Sequence, residues 1–157
     1  MSFAKMGDPT RAGFKLENSP FYLIANADFK YHEDMDVALS RNGIDRSMYR
    51  IMTVLREQAP ISIGRLAEVA LLKRPTVSRA IERMVDRGLV ATQPGAEDNR
   101  VTEVALTGEG IALMGTLTPV VARQVARAVE GIDDADLGVL IRTLQKMVSN
   151  LNRLAIE

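Results

Sequence analysis

The hydrophobic spacing changes character at Gly88, and that change leaves few architectures open. Before it, apolar residues recur three and four apart: Met48, Ile51, Met52 and Leu55, then Ile63, Leu66, Ala67 and Ala70, then Val77, Ile81, Met84 and Val85. Helices that bury one face have this spacing. After Gly88, residues 89–92 and 101–106 read as two strands around the turn-rich stretch 94–99, which makes a β-hairpin. From Thr107 the helical period returns and holds to the end, placing Leu137, Leu140, Ile141, Leu144, Val148, Leu151 and Leu154 on one stripe. The pattern predicts a mainly α chain with one small β-hairpin. Its 157 residues make one domain, or one domain with an appended helical element.

Start and stop signals set the boundaries. Ser19 followed by Pro20 reads as an N-cap and first helical residue. The helix they open runs to about Ser40, with Phe21, Ile24, Tyr31, Met35, Ala38 and Leu39 near one face and Asn42 with Gly43 as its stop. Asp45 can cap a second helix that Ala59 and Pro60 terminate, and Ser62 a short third one after an edge strand at 61–63. Leu71 and Leu72 make a turn, Pro75 opens the next helix, and Gly88 supplies its left-handed stop. Thr107 then caps a long helix to about Glu130 with a kink at Pro119, and Asp133 recaps the last. Residues 1–18 have no period and read as a flexible arm.

Much chemistry is excluded by composition. The chain has no Cys, so disulfides, thiolate metal sites, a cysteine nucleophile and a thiol redox sensor are ruled out. His32 is the only histidine and no G-x-S-x-G elbow is present, which leaves no triad and no zinc site; neither an enzyme nor a bound cofactor or metal is expected. Thr107, Gly108, Glu109 and Gly110 sit where a dinucleotide fingerprint would, but Leu113 replaces its third glycine and no βαβ unit surrounds it. They read as a strand-to-helix turn with flexible glycines. No apolar run reaches the roughly 18 residues of a membrane span, and no secretory signal opens the chain, so the expected compartment is the cytoplasm.

Net charge is zero, from 20 basic and 20 acidic side chains. On that total a nucleic-acid partner looks unfavoured. The zero is a cancellation: residues 1–40 and 129–157 are each acidic by two charges, while residues 41–100 are basic by four. Lys73, Arg74, Arg79, Arg83 and Arg87 concentrate on the helix before Gly88 and its approach.

Helix, turn and basic helix followed by a hairpin tipped with Arg100 is the winged-helix layout. A helix fits the DNA major groove and reads base edges from its N-terminal exposed residues. A hairpin can lay an Arg into the narrow, electronegative minor groove.

The sequence resembles the MarR family of winged helix-turn-helix transcription regulators. SIGRLAE at 62–68, RPTVSR at 74–79 and DRGLV at 86–90 carry the likeness, with Asp98 and Arg100 followed by Leu106 and Thr107 as the D-x-R…L-T wing signature. The resemblance implies a winged helix-turn-helix domain at 45–107 and an α-helical dimerisation region formed by 19–44 and 108–157. It implies a homodimeric repressor that binds a palindromic, double-stranded operator through a recognition helix at 74–87 and a wing at 88–106. By position, Thr76, Ser78 and Arg79 match base-contacting residues, Arg100 the wing-tip Arg, and Asp98 its positioning partner. Lys73, Arg74 and Arg83 are better placed for phosphates. A winged-helix protein–protein module that does not bind DNA is the alternative.

Two departures from the family pattern stand out. Leu71 and Lys73 replace the turn Gly and the capping Asp, the latter a loss of about 1 kcal/mol, and the strand after Gly88 carries Ala91, Thr92 and Gln93 in place of Arg residues. The resemblance also implies release from DNA by a small, often aromatic or phenolic, effector. Phe21, His32, Arg46, Tyr49 and Met52 are the matching pocket candidates, although each also reads as core or helix surface.

Overall fold

A computed structural model describes residues 7–96 and 98–152, apart from the side chain of Asp34. Residues 1–6 of the expected arm, Glu97 of the wing loop and Leu154 of the final stripe lie outside the described residues. The chain divides into two compact units, residues 1–124 and 125–157.

A 3-10 turn at Leu16–Asn18 leads into α1 (Pro20–Arg41). Ser19 stands at the N-cap, but contrary to expectation its hydroxyl makes no capping bond. It is buried, and the Ser19 backbone N–H closes the preceding turn on the Leu16 carbonyl. The next caps form as the sequence predicts. Asp45 Oδ1 accepts the Met48 N–H at 2.9 Å to start α2 (Arg46–Gln58). Ser62 Oγ accepts the Arg65 N–H at 3.2 Å to start α3 (Ile63–Val69). The following helix, α4 (Arg74–Asp86), begins behind Lys73, which contributes no capping side chain.

After α4, Gly88 takes φ +66° and turns the chain into the strands. β2 (Val90–Pro94) and β3 (Thr102–Leu106) pair antiparallel, with Val90 opposite Leu106 and Pro94 opposite Thr102. The edge strand β1 (Ile61–Ser62) joins β3, with Ile61 opposite Val104, so the hairpin is part of a three-stranded sheet in the order β1-β3-β2. Thr107 links its two ends: its hydroxyl donates to the Gly88 carbonyl at 2.5 Å and accepts the Gly110 N–H at 3.1 Å. That starts α5 (Gly108–Ala128), which contains Pro119 without ending there.

The core of the first unit joins Met48, Ile51, Met52 and Leu55 of α2 to Leu66 and Ala67 of α3, Val77, Ala80, Ile81 and Met84 of α4, and Val90 and Val104 of the sheet. Met35 and Leu39 of α1 and Met114 and Leu117 of α5 close it. Methionines fill a core that has few rings, since their unbranched thioethers adapt to irregular gaps. Each such side chain contributes about 1.5–3 kcal/mol on burial. One expected core residue is displaced: Val85 is 42% exposed, and Ala80 takes the inward position. Met84 holds the centre of the face, which rotates Val85 to its rim.

In the second unit, Asp133 caps α6 (Asp134–Leu151) by accepting the Asp136 N–H at 2.8 Å. No described residue of α6 is buried. Leu140, Ile141, Val148 and Leu151 of its stripe are exposed. On α1 of the first unit, Phe21, Leu23, Ile24 and Phe29 are likewise exposed.

Candidate nucleic-acid interface

Burial of Val77, Ala80, Ile81 and Met84 fixes which way α4 faces. Thr76, Arg79, Glu82, Arg83 and Asp86 are thereby turned outward. Lys73, Thr76 and Arg79 are exposed, and Lys73 and Arg79 form no ion pair among the described residues. Ser78 is half-buried, on a groove that also touches Ile63, Val85 and Thr92. Arg74 is exposed but lies across α3, its guanidinium 3.4 Å from where a Cβ on Gly64 would stand. The turn before α4 places Leu71 at φ +54°, the left-handed region, with its side chain almost fully in solvent.

At the far end of the hairpin the backbone makes a tight loop. Gly95 N–H donates to the Val101 carbonyl at 2.7 Å, and Val101 N–H to the Asp98 carbonyl at 2.9 Å. The Asp98 carboxylate accepts the Arg100 backbone N–H at 2.9 Å and the Arg100 Nη2 at 2.9 Å. The Arg100 side chain is 91% exposed. These hydrogen bonds from Arg100 hold the Asp98 carboxyl below its ordinary pKa, and the same bonds raise that of Arg100. The wing tip is therefore a fixed, solvent-facing cation.

Arg83 is engaged elsewhere. Its Nη2 donates to Asp45 Oδ2 at 2.7 Å, while the other Asp45 oxygen caps α2. One turn on, Arg87 donates to the carbonyls of Asn42, at 3.0 Å, and of Gly43. Nothing local in the sequence announced either contact, because 38 and 44 residues separate the partners.

The five pocket candidates do not share one cavity. Phe21 lies exposed in the first turn of α1, Met52 is fully buried, and Tyr49 is half-buried against the core. His32 places Nε2 3.3 Å from Asp28 Oδ1 and its ring edge-on to Tyr31 at 5.1 Å; its Nδ1 is buried with no partner among the described residues. Arg46 forms a two-pronged ion pair with Asp36 and borders a cavity of about 370 Å³ with Leu39 and Ile44. Hydrogen bonding from Arg46 lowers the Asp36 pKa. Among the described residues no cluster of three or more His, Cys, Asp and Glu could hold a metal ion, and no helix is long and apolar enough to cross a membrane.

Comparison with known proteins agrees with this geometry. The sequence profile of the MarR family matches residues 44–102. The HTH-type transcriptional repressor IacR of Pseudomonas putida is 31% identical over 147 residues, which cover 94% of this chain and 88% of that protein. A MarR family transcriptional regulator from Silicibacter pomeroyi has the same fold, with a TM-score of 0.84 at 25% identity over 93% of this chain and 99% of that one. So does BpsR of Bordetella bronchiseptica, whose DNA binding is regulated by 6-hydroxynicotinic acid: TM-score 0.72 and 22% identity, over 82% of this chain and 92% of that one.

Proposed function

We infer the function from one premise: the chain belongs to the MarR family and is a DNA-binding transcription regulator. From it we propose a homodimeric repressor that binds a palindromic operator and leaves it when a small effector binds. Residues 45–107 form the DNA-binding lobe, and 19–44 with 108–157 form the dimerisation region. The carrying observation is the pairing of an outward, uncommitted Arg79 with a wing-tip Arg100 that Asp98 holds in solvent. Arg79 has the fork that matches guanine O6 and N7 in the major groove, with Thr76 and Ser78 beside it on α4. Arg100 suits the electronegative minor groove. Lys73 and Arg74 meet phosphates on the approach.

The exposed apolar residues of α1 and of α6 support dimerisation, since monomeric proteins rarely leave such stripes in water. Two-fold symmetry then sets half-site centres about 10 base pairs apart. A DNA partner puts the protein in the cytoplasm. For the effector, the regulation of BpsR by 6-hydroxynicotinic acid favours a small aromatic acid, and Phe21, His32, Arg46, Tyr49 and Met52 remain its candidate contacts. Arg46 is the cation able to take a carboxylate, provided Asp36 gives way.

Selection of duplexes from a random-sequence library by the full chain tests the proposal. The expected result is enrichment of a palindrome whose affinity falls steeply with salt. Recovery of no sequence above background, or binding indifferent to salt, would overturn it.

A further inference from the structure

We propose that Arg83 and Arg87 are positioning residues that hook the recognition helix α4 onto the corner between α1 and α2, so that Arg83 works inside the protein and not on the phosphate backbone. The proposal rests on the DNA-binding reading above for its consequence, though the tie itself is a property of the fold.

The two arginines are four residues apart, one helical turn, and so leave the same side of α4. Arg83 reaches the first residue on the α2 side of the corner, through the Asp45 oxygen that the Met48 N–H does not use. Arg87 reaches the α1 side, donating to the Asn42 and Gly43 carbonyls just beyond the last helical turn, near the negative end of its dipole. Gly43 suits this contact twice over. It holds φ +69°, and a Cβ there would stand 3.2 Å from the Arg87 guanidinium.

The rest of α4 is held by Val77, Ala80, Ile81 and Met84 on a single face. Apolar burial is non-directional, and alone it permits small rotations and slides. Paired charge-assisted hydrogen bonds at fixed angles do not. Because the corner terminates α1, which belongs to the proposed dimerisation region, the two ties set how far each recognition helix stands from the two-fold axis. Half-site spacing is then selected by Arg83 and Arg87 without their touching DNA.

A phosphate role and a positioning role predict opposite signs for one substitution. Asn is as good an N-cap as Asp, so Asp45→Asn keeps α2 capped while removing the charge that engages Arg83. A phosphate-binding Arg83 would be freed by it, and DNA binding would tighten. A positioning Arg83 would lose its anchor, and binding would weaken.

The test measures wild type, Arg83→Met, Arg87→Met and Asp45→Asn by fluorescence anisotropy across a salt series. The probes are the selected palindrome and versions with a base pair added or removed between the half-sites. All three variants should bind the selected spacing several-fold more weakly, keep the wild-type slope of log affinity against log salt, and lose most of their preference over the altered spacings. A slope lower by about one per protomer in Arg83→Met, tighter binding by Asp45→Asn, or an intact spacing preference with only a lower melting temperature would each overturn the proposal. Amide exchange without DNA gives an independent arm: residues 83–87 and 42–45 should exchange faster in Arg83→Met and Asp45→Asn, and unchanged exchange would refute the tie. A wild type that selects no duplex defeats the DNA-binding reading, and the exchange arm still decides whether the tie exists.

Discussion

Asp98 accepts both the backbone N–H of Arg100 and its guanidinium, at 2.9 Å each, so the wing-tip cation is aimed by the residue two before it. Removing the aim and removing the charge should therefore differ. Arg100→Ala is expected to weaken operator binding about tenfold, equivalent to about 1.4 kcal/mol, and to lower the salt slope by about one per protomer. Asp98→Ala should weaken binding less and leave that slope unchanged, because the charge stays while its direction is lost. Titrations of both variants over a salt series check this; equal slope losses would show that Asp98 acts by more than aim.

Stability should respond to acid in a defined direction. Hydrogen bonds from Arg46 lower the pKa of Asp36, and those from Arg100 that of Asp98, beneath the ordinary 3.8. Burial pushes Asp45 upward, but the Met48 N–H, Arg83 and its charge outweigh it and leave that group low as well. A carboxyl with a folded pKa below its unfolded one stabilises the fold above the unfolded value and loses that contribution as pH falls through the folded one. Urea midpoints should thus be insensitive to these three groups from neutral pH down to about 5 and should drop near and below 3.8. Asp36→Asn, Asp45→Asn and Asp98→Asn combined should flatten that drop.

Two glycines of α5 should respond oppositely to a methyl group. A Cβ on Gly110 would lie 2.1 Å from the Leu89 carbonyl oxygen, which also accepts the Thr107 N–H. Gly110→Ala must push the hairpin entrance off the start of α5 and should destabilise by about 2 kcal/mol or more. Nothing lies within 4 Å of the corresponding position on Gly115. Gly115→Ala should stabilise by up to about 1 kcal/mol through helix propensity. Denaturant midpoints distinguish the two.

Leu71 at φ +54° is a strained left-handed residue with nothing to pack against. Leu71→Gly should relieve that strain and raise stability by about 1 kcal/mol, measured by thermal melting, with DNA affinity unaltered because the turn keeps its shape.

What the sequence made legible was local. The caps at Asp45, Ser62, Thr107 and Asp133 lie within three residues of the amides they bind, and each forms. That Asp98 partners Arg100 followed from the family resemblance, and the two are hydrogen-bonded in the wing loop. Ser19 fits the capping rule, but burial and the preceding 3-10 turn leave its hydroxyl off the helix amides. Spacing alone does not resolve a residue at the rim of a helical face, which is why Val85 and Ala80 exchange roles. Gly110 reads as flexible in the sequence, yet the close approach of Leu89 requires it. The edge strand at Ile61 needs Val104, and Arg83 needs Asp45, partners that only the closed chain brings near. The pocket candidates followed from the family resemblance, and the geometry that would gather them is not encoded in spacing.

The exposed stripe of α6 gives the sharpest test of assembly. Leu140, Ile141, Val148 and Leu151 are each about half exposed or more, on a helix whose own end is capped by Asp133. Covering such a stripe gains about 25 cal/mol per Å², so a second copy of the chain is a sufficient partner. Ile141→Glu with Val148→Glu places two carboxylates on that surface and substitutes no residue of the winged-helix core. Sedimentation should show dimer for the wild type and monomer for the variant at micromolar concentration. The variant should retain the thermal transition of the winged-helix core and lose affinity for the palindrome by at least about a hundredfold, since each half-site then binds alone. A variant that stayed dimeric would place the two-fold contact elsewhere, and a monomeric wild type would remove the symmetry on which the palindrome is predicted.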